Sequence, residues 1–504
     1  MARYLPLTGL AVALGLGLAA CHAPAPKMPE PPAGMPSQYS SLRNIQPDSA
    51  LNLRALDAQA LTEQLGKWWQ LFNDPTLNDL VELTITNNWD LLIATQRIEA
   101  AAAEVSKVSS QALPTLYGQA NAGRQQSGTT NALGLGLYDT FGFQAAVSWE
   151  PDVFGRVAAQ ARAAQADQLA VQADRRAIMV SMTAEVVLVY AQIRAMQQKL
   201  TLTEQYVALM GAQVTLTKDL LRSGLAAAQT LAAMQRQYLE AKSAIPVLKA
   251  RIGILITTCA ILTGGYPDSL NTLLNQPGLM LEAKQPLPDT LPSQLLRQRP
   301  DITAQEQRML ASLSEVQAAD AQFLPFFAIP LSVGYDTGPI SLLLNPASFI
   351  WNLAASAFAP IYTGGLLEAN LEIAKSVSKE NQLQYEQLVR QALQEVESAV
   401  IGYQGASATL DVLEAVRSQQ RVVVSKDKTL FATGLQSLFE VNNSELQLTE
   451  INENIVDAEY AQAFELVSLY RALGGGWTDA SLVTTSIEPR AATDSNAVNP
   501  PPKE

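Results

Sequence analysis

Few side chains in this sequence can make or break bonds, and the most suggestive of them sits near its start. Cys21 and Cys259 are the two thiols in 504 residues, and His22 is the single histidine. Cys21 follows a stretch that reads as an export signal: Arg3 supplies the positive end, Leu10 to Leu18 the short apolar core, and Ala19-Ala20 the small residues before a cut. That core is too short to span a bilayer as a mature helix. A lone histidine beside the processing site excludes His-based acid–base catalysis and His-rich metal sites from the mature body. With 47 Asp and Glu, an acid–base carboxylate pair is conceivable. However, there is no glycine-rich phosphate loop after a strand, no metal-ligand cluster and no nucleophile elbow, so neither an enzyme nor a cofactor is implied. The net charge of -13 and pI near 4.8 exclude nucleic-acid binding, which needs clustered Lys and Arg.

The tetrad Leu18-Ala19-Ala20-Cys21 resembles a bacterial lipobox, which makes Cys21 the acylated first residue of the mature chain. By the same resemblance, His22 rather than Asp after the cysteine favours the outer membrane. Ala23 to Pro36 is a proline-rich tether that lets an anchored Cys21 reach the body. Cys259 has no partner for an intrachain disulfide, so packing must supply the stability.

The elements that follow come in two sets. Asp90 to Pro114 and Asp301 to Pro325 share nine identities at an offset of 211, among them Gln96/Gln307, Arg97/Arg308 and Glu104/Glu315. Leu262 and Gly264 map onto Leu473 and Gly475 at that offset, and Gly224-Leu225 maps within one residue onto Gly434-Leu435. An internal two-fold repeat follows. The chain then divides into signal (1–20), lipidated tether (21–60), first repeat (61–273), second repeat (274–477) and a disordered tail (478–504).

No proline interrupts Arg156 to Ile245, and Val186, Val189, Ile193, Met196 and Leu200 recur in the steps of a coiled-coil seam. The run predicts a helix of 67 residues to Arg222, about 100 Å long. A second run begins at Leu366, so each half holds a long helical hairpin reversing at Gly224 or Gly434. Ahead of each hairpin the period changes to two: Phe141, Phe143, Ala145, Val147 and Trp149 alternate with Gly142, Gln144, Ala146 and Ser148. Leu116 to Arg124 is the expected strand partner, and Phe326 to Tyr335 with Phe349 to Pro360 repeats the pair. Four strands cannot close a barrel of useful width in lipid, so other copies must complete it. Trp68, Trp69, Phe72 and Trp149 look like aromatic anchors; the Trp68-Trp69 pair is assigned to internal packing, and Phe141, Phe143, Trp351 and Phe358 are the belt or lipid-facing candidates. Arg299-Pro300-Asp301 reads as a helix start.

Leu291-Pro-Ser-Gln-Leu-Leu-Arg-Gln-Arg-Pro-Asp-Ile302 closely resembles a landmark of the outer membrane factor family, the TolC-like, OprM-like and NodT-type efflux channels. Trp68 to Val81, Trp149 to Arg156, Pro360 to Gly365 and Tyr470 to Trp477 carry further landmarks. The resemblance implies a mixed α and β membrane protein. In it a homotrimer with four strands per protomer forms a 12-stranded transmembrane β-barrel, continued by a long α-helical coiled-coil tunnel into the periplasm. It also implies a passive exit duct in outer-membrane lipid, served by a periplasmic adaptor (membrane fusion protein) and an inner-membrane transporter of the proton-driven RND class. Adaptor docking then falls on the tips, Arg222, Gly224, Leu225, Gly434 and Leu435, and the periplasmic gate on Glu440, with Asn443 one turn on and Thr230 as the first-half counterpart. The alternatives are a duct for secreted polypeptide or metal ions, and a purely structural coiled-coil periplasmic lipoprotein.

Overall fold

A computed structural model describes residues 54–55, 65–126, 136–282, 288–289 and 298–477. Cys21, the signal and tether, the loop holding Thr129, Asn131 and Gly134, and the C-terminal tail lie outside the described residues.

The main sheet has four strands' width, with β1 (Thr115–Gln126), β2 (Leu137–Trp149) and β3 (Phe326–Thr337) followed by a fourth strand in two pieces, β4 (Phe349–Leu353) and β5 (Ser356–Phe358). All neighbours are antiparallel in the order β1-β2-β3-β4/β5, so one side of β1 and one side of β4/β5 are unpaired. The sequence led to one continuous fourth strand. The break falls at Ala354-Ala355, opposite Pro330 of β3, which has no N–H to offer the ladder. Register is unchanged across it: Leu331 faces Leu353 and Ala328 faces Ser356.

Below the sheet run long helices: α1 (Pro75–Asn87), α2 (Trp89–Ser110), α3 (Arg156–Arg222), α4 (Ala228–Leu262), α5 (Pro300–Ala321), α6 (Leu366–Ala432) and α7 (Leu438–Ala472). α3 and α6 are both 67 residues and α4 and α7 both 35. The start of α3 matches the sequence expectation, and α4 continues through the exposed Pro246 to Leu262, the packing on α3 outweighing the lost hydrogen bond. Element boundaries recur at 211 residues through α2/α5 and β1/β3, but at 210 through the long hairpins. The positional counterparts of Leu262 and Gly264 are therefore Ala472 and Gly474, one residue from the Leu473 and Gly475 that identity suggests; Gly264 and Gly474 share a φ of 79° and 75°.

α3 is the spine. It packs on α2 and α5 near the strands and on α4 and α7 further away, while α6 packs on α5 and α7. Its buried seam changes along its length. Ala159, Ala163, Ala166, Ala170 and Ala173 admit α5 and α2 closely, Val186, Val187, Tyr190 and Ile193 form the densest core, and Thr203, Met210, Gln213 and Thr217 follow towards the tip. That core also takes Trp68, stacked on Tyr470 at 5.1 Å, and Trp69, as expected of the pair, with Phe72 buried beside them. The two outermost helices are left with apolar stripes in solvent: Leu239, Val247, Ile254 and Ile261 on α4, and Val412, Val416, Val423 and Leu430 on α6.

Candidate functional site

The sheet separates chemistry by face. Cross-strand pairing puts Leu116, Ala120 and Ala122 of β1 in line with Phe141, Phe143 and Val147 of β2, then Leu331, Val333 and Tyr335 of β3 and Phe349, Trp351 and Leu353 of β4. The opposite face carries Gln119, Asn121, Gln144, Ser148, Ser332 and Asn352, with Gln144 Nε2 donating to Gln119 Oε1 at 3.2 Å. One face suits hydrocarbon and the other water. Phe358 departs from its expected place: it pairs with Phe326 and stacks on it at 5.2 Å, on the same side as Ser332 and Asn352. Alternation across the Ala354-Ala355 break sets its side, and aromatic character alone could not reveal that.

Two joints, which sequence reasoning missed, stack helices end to end. Asn88 caps α2, its Oδ1 accepting from the backbone N–H of Asp90 at 2.9 Å and of Leu91 at 3.2 Å, while its Nδ2 donates to Leu262 O at 2.9 Å. One buried amide thus closes the N-terminus of α2 and the C-terminus of α4, where orphan donors and acceptors meet. At the second joint Arg299 does the corresponding work with charge. Its Nη1 donates to Ala472 O at 3.0 Å and to Glu395 of α6 at 2.6 Å, and its Nε and Nη2 grip Asp301. Burial alone would lower the Arg299 pKa, but the two carboxylates outweigh it and hold the guanidinium above its ordinary value. The sequence reading of Arg299-Pro300-Asp301 as a helix start holds, with Pro300 in the first turn, but the span to α7 has no local signal. Only the alignment of Asn87-Asn88 with Gln298-Arg299 at the repeat offset points to a shared position.

At the far ends, both hairpins reverse through the same turn. Gly224 N donates to Leu221 O at 3.0 Å and Leu225 N to Leu220 O at 2.8 Å, and Gly434 and Leu435 repeat the pattern on Phe431 and Leu430. This is the Schellman arrangement, with Gly224 at φ 73° and Gly434 at φ 74°. Nothing lies within 4 Å of a Cβ added at either glycine. Leu225 and Leu435 are each 76% exposed, and Arg222 pairs with Asp219 at 3.2 Å. Glu440 stands in the first turn of α7, its N–H donating to Ser437 Oγ at 3.3 Å, with its side chain exposed. Asn443, one turn on, and Thr230 in the first turn of α4 are exposed as well. Arg222, Gly224, Leu225, Thr230, Gly434, Leu435, Glu440 and Asn443 thus all lie within about two turns of the hairpin reversals and are exposed.

Between α2, α3 and α5, a cavity of about 280 Å³ is lined by Glu104, Gln160, Asp167 and Glu315. Burial pushes the Asp167 carboxyl up, opposed by Arg308, and burial with the Asp167 charge pushes Glu315 up. Arg308 itself pairs with Asp174. The Cys259 thiol is buried in the core and pushed up to about 12 by desolvation, which leaves it inert at neutral pH.

An open sheet with one apolar and one polar face is set here on helices of 67 and 35 residues, several times the length usual in globular domains. The sequence profile of the outer membrane efflux protein family matches residues 80–253 and 291–475. The cation efflux system protein CusC of Escherichia coli O6:H1 is 26% identical over 496 residues, covering 94% of this chain and 99% of CusC. The solvent efflux pump outer membrane protein SrpC of Pseudomonas putida is 25% identical, covering 84% and 90%. Among solved structures, the outer-membrane channel OprN superposes with a TM-score of 0.79 at 25% identity, over 90% of this chain and 99% of OprN. With both halves matched and at least nine-tenths of the chain shared with CusC and OprN, the chain belongs to the outer membrane efflux protein family.

Proposed function

We propose that three copies of this chain close into a 12-stranded barrel over a helical tunnel, and that the assembly is the passive outer-membrane exit duct of a tripartite efflux system. The observation that carries this reading is the pair of open edges. Inside one chain β2 of the first hairpin pairs with β3 of the second, and α3 packs on α7. The contacts related to these by the repeat are β4/β5 with β1, and α6 with α4. One chain cannot make them, because they join its two opposite edges. Supplied by the next copy, they cover the stripes on α4 and α6 and leave no strand edge in lipid, where unpaired N–H and C=O groups cost several kcal/mol. Such head-to-tail contacts close into a ring when the rotation from copy to copy is a whole fraction of a turn, here one third.

On this reading the two sequence repeats, 61–273 and 274–477, each supply one β-hairpin and one helical hairpin to the ring, and Cys21 carries the acyl anchor. Gly224 and Gly434 with Arg222, Leu225 and Leu435 receive the periplasmic adaptor, which links the duct to a proton-driven RND-class pump. Three copies of Glu440 around one axis constrict the periplasmic entrance, favour cations and repel one another, with Asn443 and Thr230 as neutral neighbours. Relatives of near-equal identity are named for cations (CusC) and for solvents (SrpC), and a duct without a cargo site of its own suits both. The test is reconstitution of the full acylated chain in planar bilayers. Ion-conducting pores whose cation selectivity falls in Glu440→Gln support the duct and its gate, pores with unchanged selectivity remove Glu440 from the constriction, and the absence of pores overturns the duct.

A further inference from the structure

We infer that the loop joining β3 to β4, Gly338 to Ser348, dips into the outer leaflet of the membrane as an interfacial lipid anchor. The inference rests on the barrel reading above, which makes the Leu116–Phe143–Val333–Trp351 face the lipid side.

The two hairpins finish differently at positions related by the repeat. In the first, the directly opposed pair Arg124 and Asp139 forms an ion pair at 3.4 Å on the apolar face, a polar rim of the kind that marks the end of a hydrocarbon band. The positions related by the repeat are Tyr335 and Phe349, also directly opposed, with their rings 5.7 Å apart and edge to face. Phe143 joins them, 5.3 Å from Tyr335. The apolar surface of the second hairpin therefore continues through the repeat position at which the first carries an ion pair.

What lies beyond that aromatic cluster is apolar too. No charged residue occurs from Thr337 to Leu367, and the loop presents Ile340 at 64%, Leu342 at 44% and Leu344 at 74% exposure. The loop is a folded element: Ser348 Oγ donates to Leu342 O at 2.9 Å, and Asn345 Oδ1 accepts from Ala347 N at 2.9 Å to cap a short turn. Its backbone polarity is thus partly satisfied from within, which lowers the cost of entering an interface. From Trp149 to Phe141 the apolar face of β2 spans about 27 Å along the strand, or about 20 Å once tilted, against an apolar band of about 25 Å in outer-membrane barrels. Ile340, Leu342 and Leu344 supply the missing height on the side of each copy where no ion pair sets the rim. Continuity with the lipid-facing wall is what selects lipid as the occupant, because a loop destined for water beyond that wall has no need of three exposed branched side chains.

The experiment is spin-label accessibility on the full acylated protein in vesicles of phosphatidylethanolamine, phosphatidylglycerol and lipid A. Native Cys259 is buried and Cys21 is acylated on the reading above, so a nitroxide can be placed at Leu342→Cys or Leu344→Cys. Val333→Cys is the lipid-side control and Gln119→Cys the water-side control. Saturation by molecular oxygen, which partitions into lipid, is compared with saturation by nickel ethylenediaminediacetate, which stays in water. An oxygen-to-nickel ratio at both loop sites close to that at Val333, and several-fold above that at Gln119, supports the anchor. A ratio like that at Gln119 places the loop in water, and low access to both probes buries it against the other copies' loops; either result overturns the inference. Failure of the Val333 and Gln119 controls to separate would instead overturn the barrel reading itself.

Discussion

Replacing Asn88 by Ala tests whether the α2/α4 joint is held as described. The substitution removes two kinds of interaction: the N-cap accepted from Asp90 and Leu91, and the bond from Nδ2 to Leu262 O. Loss of an N-cap costs about 1 kcal/mol, and loss of one buried side chain–backbone hydrogen bond about another 1 kcal/mol. Local opening of the joint should thus become easier by about 2 kcal/mol, roughly a 30-fold rise in exchange of the Asp90, Leu91 and neighbouring amides. Asn88→Asp separates the two parts. Its carboxylate still caps, and gains from the helix dipole by about 0.3–1 kcal/mol, but it sets oxygen against oxygen at Leu262. It should restore protection at the start of α2 and leave the end of α4 as mobile as in Asn88→Ala. Hydrogen-exchange mass spectrometry on the intact assembly reads both ends at once. Unchanged exchange in Asn88→Ala, or full restoration of both ends by Asp, would refute the two-sided cap.

Arg299→Ala leaves the partly exposed Asp301 and Glu395 carboxylates without their cation, and should loosen the α5/α7 joint by about 1.5–3 kcal/mol, seen as lost exchange protection around Gly474 and as a lower temperature of assembly dissociation. Because burial raises the Asp167 and Glu315 pKa values, the folded chain binds their protons before the unfolded chain does. The destabilisation they cause is present at neutral pH and is relieved as pH falls through the raised values; thermal scans should show α2–α3–α5 packing firming on mild acidification, and Glu315→Gln flattening that response. Gly434→Val puts a β-branched residue at φ 74°, where the strain is about 1–2 kcal/mol while the space around it is open. Assembly should survive, adaptor capture in pull-downs should weaken, and Gly434→Asn should be nearly neutral. Cys21→Ser should abolish incorporation of labelled fatty acid while leaving pore formation intact.

The long elements were legible because their signals repeat: the proline-free run to Arg222, the glycine turns and the alternation in Phe141 to Trp149 each accumulate over many residues. The seam between α3 and α5 was not legible, since it is built of Ala159, Ala163, Ala166, Ala170 and Ala173, and alanine carries little apolar weight in a heptad count although it sets how closely helices approach. The fourth strand was read as unbroken because the cause of its break, Pro330, lies on the neighbouring strand and acts only through pairing. The joints escaped for a similar reason. Asn88 and Arg299 look like ordinary helix starts until Leu262 and Ala472, more than 170 residues away, are brought beneath them. The face occupied by Phe358 likewise depended on register, which residue type does not encode.

Ring closure between copies is the central claim, and an engineered disulfide tests it most directly. The intramolecular pairing of Trp149 with Ile329, carried over by the offsets of 210 and 211, sets Ala357 of one copy opposite Ala120 of the next, both on the apolar face. Opposed residues on antiparallel strands stand about 4.5–5.5 Å apart at Cα, within the range a disulfide spans. An Ala120→Cys, Ala357→Cys double variant, oxidised in the membrane and run on a non-reducing denaturing gel, should collapse into a single covalent species of three chains, and either single variant should stay monomeric. Absence of intermolecular bonds in the double variant, or covalent ladders that do not stop at three, would contradict the account.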